Sequence, residues 1–392
     1  MTDPIDPPVL DIPGADAGRR GLPDRAELTP TQRAIVDASV IADLGLRTAV
    51  ATVIGAAMLP KVLTETVHRQ QVHRDREAMA FYADLAAQQN AKASFPAPLS
   101  PPTVASRPAN AVARWVAHGN VENLTFDSSF RAINPDMREA WNGLRRNNVV
   151  HAQHWRHGDG ARPTLCVIHG FMGSAYLANG LFFSLPWFHR AGYDVLLYLM
   201  PFHGRRAEKW SPFSGYGIFA NGMAGFAETM AQAIHDFRSV LDHLEATGVD
   251  RVAVTGLSLG GYTSALAASV DSRIQAVIPN VPVVTPEAAF DDWWPASTLV
   301  TLGRLAGGVS RQASVAASAY HSPLNYQPLV PKDRRLIITG LGDRLAPPDQ
   351  AEKLWKHWDR CALHWFPGNH LIHVSQKDYL RRMTRFLQPI MF

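Results

Sequence analysis

Residues 251–261 read Arg-Val-Ala-Val-Thr-Gly-Leu-Ser-Leu-Gly-Gly, and Ser258 is the residue there that could do chemistry. A β-branched run, Val252 to Thr255, breaks into Gly256-Leu257-Ser258-Leu259-Gly260 and then into helix-prone residues from Tyr262 to Val270. This is G-x-S-x-G with a strand before it and a helix after it, the setting a serine nucleophile requires. The serine must project from a sharp turn, so its neighbours cannot carry side chains that collide with the strand and helix. The following helix turns its N-terminal amides toward developing negative charge.

A serine hydroxyl is inert without a base, and the base needs an orienting acid. Downstream, the apolar run Arg335 to Thr339 ends in Gly340-Leu341-Gly342-Asp343, followed by Pro347 and Pro348 at the start of a helix. The run Ala362 to Phe366 ends in Pro367-Gly368-Asn369-His370. Both side chains sit in loops just past strands, in the order Ser, Asp, His. Upstream, Thr164 to Ile168 leads into His169-Gly170-Phe171-Met172-Gly173, a loop placed to supply a second backbone donor for an oxyanion beside the N–H of Leu259. The rival base is His373, three residues after His370, and the rival acids are Asp291 and Asp292 after the strand Ile274 to Pro282. His364 lies within a strand and reads as structural.

With these four motifs in this order, the chain resembles the α/β-hydrolase superfamily of serine hydrolases over about residues 120–392. It is similar to esterase- and lipase-like members, and no motif singles out a subfamily. The resemblance implies Ser258 as nucleophile, Asp343 as acid, His370 as base, and Phe171 and Leu259 as oxyanion donors. It implies hydrolysis of a carboxylic ester through an acyl-enzyme, with a small-molecule ester or lipid as substrate. Acyl transfer on the same triad and a non-catalytic hydrolase-fold binding module are the alternatives.

Strands alternating with helices imply a mostly parallel, eight-stranded sheet covered on both faces. The segments Val121 to Ala132 and Asn148 to His157 are the candidates for antiparallel strands at its start. Helices are expected around 175–191, 223–244, 348–358 and 375–387. Residues 1–30 are rich in Pro, Asp and Gly and read as a disordered tail. Residues 31–88 read as a helical extension, 89–110 as a Pro-rich linker and 111–392 as the catalytic domain, with 283–333 a candidate lid carrying Phe290, Trp293 and Trp294. Those aromatics are candidate substrate-binding residues, as are His169 and the rim arginines Arg205 and Arg206.

Within the extension, Thr48 to Leu59 is an apolar run closed by Pro60, preceded by Asp43 and Arg47 and followed by Lys61. At twelve residues it is too short to span a bilayer. Two readings stay open for it: a helix hairpin packed on the catalytic domain or on a second subunit, and a peripheral contact with lipid.

Composition fits a globular chain able to bury a large core, with 46% hydrophobic and 18% charged residues. The net charge of +4 is scattered, so no nucleic-acid footprint is expected. Cys166 and Cys361 are too few for a disulfide framework, which together with the lack of a signal-peptide pattern suggests a cytoplasmic protein, with membrane association as the alternative. His151, His154 and His157 alternate along a strand and do not converge on one metal ion. There is no dinucleotide or Walker motif, so neither a metal nor another cofactor is expected.

Overall fold

The apolar runs of the sequence become the strands of one nine-stranded sheet. The computed structural model describes residues 21–392 apart from 66–68, 159, 174–175, 221, 306–307 and 375. The strands are β1 (Ala105–Pro108), β2 (Asn120–Asp127), β3 (Val149–Arg156), β4 (Thr164–Ile168), β5 (Asp194–Tyr198), β6 (Val252–Leu257), β7 (Ile274–Asn280), β8 (Leu336–Gly340) and β9 (Ala362–Phe366), in spatial order β1-β2-β3-β5-β4-β6-β7-β8-β9. β1, β2, β3 and β5 pair antiparallel, and from β5 across to β9 all pairs are parallel.

The count corrects the eight strands expected. The extra strand, β1, lies in the segment read as a linker, where its four residues are all exposed and end in Pro108. A short polar edge strand carries no apolar alternation, and proline is tolerated at an edge because an unpaired side needs no N–H. The same segment holds a short helix, Ala91–Ser94.

Every residue of β4, β5 and β8 is buried, the pattern of parallel strands covered on both faces. The period of two divides them cleanly. Cys166, Ile168, Leu196 and Tyr198 join Ile234, Phe237 and Leu241 on one side, whereas Leu165, Val167, Val195 and Leu197 join Leu380, Met383 and Leu387 on the other. Cys166 and Cys361 are buried free thiols.

The helices used below are α1 (Pro30–Glu65), α2 (Arg69–Ala87), α3 (Gly222–Ala246), α4 (Leu259–Ala267), α5 (Pro286–Asp292), α6 (Ala296–Leu305), α7 (Arg311–Ser318), α8 (Pro348–His357) and α9 (Gln376–Met391). α1 begins at a capping box: Gln32 N–H donates to Thr29 Oγ1 at 3.2 Å while Thr29 N–H donates to Gln32 Oε1 at 2.9 Å. Proline follows at the first helical position.

The apolar run 48–59 therefore lies inside a 36-residue helix. Its stretch Pro30–Ala57 is long and apolar enough to cross a membrane by length and composition, which corrects the expectation that the segment is too short. In this structure one face of α1 is buried through Val36, Ser39, Asp43, Ala51 and Ile54, while Ile41 and Val53 are exposed. α1 lies against α6 at Gly55, where a Cβ would make ordinary contact with Leu299 at 3.5 Å. α2 packs through Met79, Tyr82 and Ala86, and the Tyr82 hydroxyl donates to Glu228 Oε1 on α3 at 2.6 Å. Residues 1–20 of the expected tail lie outside the described residues.

The turn after β5 is stapled to α3 by a fully buried ion pair, Arg206 Nη2 to Asp236 Oδ2 at 2.6 Å. Arg206 also donates from Nε and Nη2 to the carbonyl of Asn147, at 2.9 and 2.7 Å. Removing one partner of such a pair leaves an uncompensated buried charge. Arg206→Met is expected to lower unfolding stability by about 3–5 kcal/mol, measured by urea denaturation. A change under about 1 kcal/mol would mean that Asp236 is neutralised or satisfied by other partners once the guanidinium is gone.

Candidate active site

The turn between β6 and α4 holds Ser258 at φ 56° and ψ −114°, a positive φ that a residue with a Cβ adopts only when its surroundings impose it. Those surroundings are the two glycines. A Cβ on Gly256 would lie 2.3 Å from the Gly260 oxygen, and one on Gly260 would lie 2.0 Å from the Ile168 oxygen. Ser258 N–H donates to the Asn280 carbonyl of β7 at 2.9 Å, which ties the elbow to the neighbouring strand.

The loop after β4 abuts this elbow: a Cβ on Gly170 would be 3.6 Å from Ser258 Cβ and 3.2 Å from the Leu257 oxygen. Phe171 and Leu259 thus flank Ser258 on the wall of one pocket. The pocket encloses about 750 Å³, counting its open mouth, and is lined almost wholly by apolar groups, among them Ile218, Phe219 and Phe226, with Val283, Pro286, Trp293 and Ala296 from the 283–333 segment. Ile54 of α1 completes the lining.

Past the ends of β8 and β9, His370 Nδ1 lies 2.7 Å from Asp343 Oδ2. The other oxygen, Oδ1, accepts from the N–H groups of Leu345 and Ala346 at 2.9 and 2.7 Å, which fixes the carboxylate's orientation. Both side chains are buried. Burial pushes the imidazole down, but Asp343, through its charge and hydrogen bond, and Asp43 together hold it above the ordinary histidine value. His373 is engaged elsewhere. Its Nδ1 is 2.7 Å from the Tyr379 hydroxyl and its Nε2 3.1 Å from the His370 carbonyl, and burial lowers it to about 4. Asp291 accepts from Arg304 and Arg311 at 2.6 and 2.7 Å, clamping α5, α6 and α7 together, and Asp292 is exposed. His364 is buried within β9, as expected of a structural residue.

Of the residues read as substrate-binding, Trp293 lines the pocket. Trp294 points outward at 65% exposure, and the side chain of Phe290 lies outside the described residues. Arg206 is sealed in its pair with Asp236, so the rim-arginine expectation is corrected for it, while Arg205 is exposed on the turn after β5. His169 is buried, not presented to substrate. Its Nδ1 donates to the Gly170 carbonyl at 2.8 Å and its Nε2 accepts from Met200 N–H at 3.1 Å, so it braces the loop after β4 as a neutral ring lowered to about 4 by burial.

Of the β3 histidines, His157 meets partners the spacing did not suggest. Its Nδ1 is 2.8 Å from Asp194 Oδ1, its Nε2 is 2.9 Å from the His189 carbonyl, and its ring stacks on His189 at 3.9 Å. Ligand-type atoms of His157, His189 and Asp194 lie within 4.8 Å of one another. Both ring nitrogens of His157 are already held, and the cluster sits at the start of β5, the opposite end of the sheet from the elbow.

Sequence reasoning missed Asp43 and Ile54, both on α1. Asp43 was detectable only as a lone acid in an otherwise apolar stretch, Val40-Ile41-Ala42-Asp43-Leu44-Gly45-Leu46.

Residues 163–307 match the family model of the alpha/beta hydrolase fold. These residues belong to the α/β-hydrolase superfamily. Two curated relatives, the uncharacterized proteins MT2702 and Rv2627c from two strains of Mycobacterium tuberculosis, are each 30% identical over 279 residues, which is 68% of this chain. The chain spans 62% of the length of these relatives. Among solved structures, an acetyl xylan esterase from Paenibacillus sp. R4 is similar with a TM-score of 0.53 at 16% identity, covering 79% of this chain and 93% of that one. Acetyl xylan esterase 1 from Thermoanaerobacterium sp. gives 0.52 at 17% identity, covering 81% and 98%. At these identities the likeness to this α/β-hydrolase is one of fold.

Proposed function

We propose that this α/β-hydrolase cleaves carboxylic esters of apolar acyl groups through an acyl-enzyme on Ser258. The observation that carries the reading is a serine on a strained elbow at the wall of an apolar pocket. His370, oriented by Asp343, takes the serine proton as Oγ attacks the ester carbon, then delivers it to the leaving alcohol as the C–O bond breaks. It next accepts a proton from water, whose oxygen attacks the acyl-enzyme and releases the acid while Ser258 regains its proton. The N–H groups of Leu259 and Phe171 stabilise the tetrahedral oxyanions, a contribution of a few kcal/mol per donor.

The pocket makes the acyl preference testable. Burying one methylene is worth about 0.8 kcal/mol, so kcat/KM is expected to rise roughly fourfold per added carbon until the pocket is full. A series of p-nitrophenyl esters from acetate to dodecanoate measures this. A profile that is flat or highest at acetate would show that the pocket beside Ser258 does not receive the acyl chain.

A further inference from the structure

α1 lies across the loops that carry the acid and the base, and its contacts there are specific. The Oδ2 oxygen of Asp43 accepts from Arg344 N–H at 2.8 Å and from His370 N–H at 3.2 Å. One turn away, the Ser39 carbonyl accepts from Asn369 Nδ2 at 3.3 Å. Gly342, just before the acid, permits this approach, since a Cβ there would fall 2.5 Å from Ser39 Cβ. Asp43 is 1% exposed, and its Oδ1 has no hydrogen-bond partner among the described residues. A single carboxylate from the start of the chain thus bridges the residue after Asp343 and the backbone of His370, about 300 residues downstream.

We propose that Asp43 is a positioning residue of the active site, pinning the acid and base loops to one another, so that the orientation of His370 depends on α1 being docked. This rests on the reading of Ser258, Asp343 and His370 as the catalytic set. The chemistry of the site argues for it. Burying a carboxylate without a cation is costly, and among the described residues no cation pairs with this one. A helix seeking only to pack would gain from an apolar residue here. What the carboxylate provides is an acceptor for two amides that have no other acceptor among the described residues, together with negative charge beside the imidazole. The ionisable groups facing it are Asp343 and His370, while Arg344 meets it through its backbone N–H. Burial lifts Asp43 to about 6 and the charge of Asp343 adds to this, while the Arg344 and His370 amides and the His370 ring act in the opposite sense.

Two substitutions separate its functions. Asp43→Asn keeps an acceptor oxygen for both amides and removes the charge. Its kcat at alkaline pH should stay within about threefold of wild type, while the titration midpoint of His370 moves to lower pH because one neighbouring anion is gone. Histidine NMR reads that midpoint, with the resonance assigned by its loss in His370→Gln. Asp43→Ala leaves both amides without an acceptor. Its kcat and its rate of fluorophosphonate labelling should fall at least about tenfold with KM within about twofold, as for a displaced base rather than a lost binding contact. Circular dichroism establishes that each variant is folded.

An unmoved His370 midpoint in Asp43→Asn, or wild-type kcat in folded Asp43→Ala, overturns the proposal. Should the alanine variant fail to fold, the asparagine midpoint decides. Failure of the hydrolase reading looks different: wild-type protein would take no fluorophosphonate label at Ser258, while the His370 titration would still report on Asp43.

Discussion

Ser258→Ala is expected to abolish ester hydrolysis, a loss of roughly 10⁴–10⁶-fold in kcat, and to abolish fluorophosphonate labelling in a protein that remains folded. The size of the effect follows from covalency. Without Oγ no acyl-enzyme can form, so Leu259, Phe171 and the pocket can only assist the direct attack of water. The fold should survive because the elbow is shaped by its glycines and by the bond from Ser258 N–H to the Asn280 carbonyl, none of which involves the hydroxyl. Alanine adopts the positive φ of this position at no greater steric cost than serine. Labelling of the variant, with circular dichroism alongside, is the measurement. Persistent labelling of the folded variant would place the nucleophile elsewhere, whereas loss of labelling through unfolding would leave the circular dichroism changed.

The features legible in the sequence are those fixed by local sterics. Gly256 and Gly260 announce the elbow because no other residue fits against Gly260 O and Ile168 O, and the five-residue runs of β4, β8 and β9 announce buried strands because each is apolar and short. The placement of Asp343 and His370 in the loops after β8 and β9 follows from that chain order. What escaped depends on contacts distant in sequence. β1 is held by its ladder to β2, not by any pattern of its own. Arg205 and Arg206 are indistinguishable in the sequence, yet only Arg206 is sealed inside, because Asp236 on α3 and the Asn147 carbonyl wait for it there. Asp43 is the clearest case. Its two donors lie in loops at the far end of the chain, and no spacing rule connects them to a helix that otherwise reads as apolar. The long helix was visible only in its most apolar third, since Asp43 and Arg47 interrupt the pattern that the tertiary contacts justify.

Asp343→Asn is expected to lower kcat by roughly 10⁴-fold, and the hydrogen bonds around the carboxylate say why so conservative a change costs so much. Oδ1 accepts from Leu345 and Ala346, so an asparagine keeps its carbonyl oxygen on that side and turns its NH₂ toward His370 Nδ1. The imidazole must then accept at Nδ1 and carry its proton on Nε2, the nitrogen that should be unprotonated to take the serine proton. The geometry is preserved and the tautomer is wrong. The pH profile gives an independent check. In the wild type the neutral imidazole is the active form, so kcat/KM rises with pH through the His370 midpoint, expected above the ordinary value of 6.5. Removing the Asp343 charge takes away what offsets the effect of burial, so the acidic limb of the residual activity should move to lower pH. Measuring kcat/KM from pH 5 to 9 for both proteins tests the sign. An acidic limb that stays in place, or a variant within tenfold of wild type, would mean that another carboxylate orients the base.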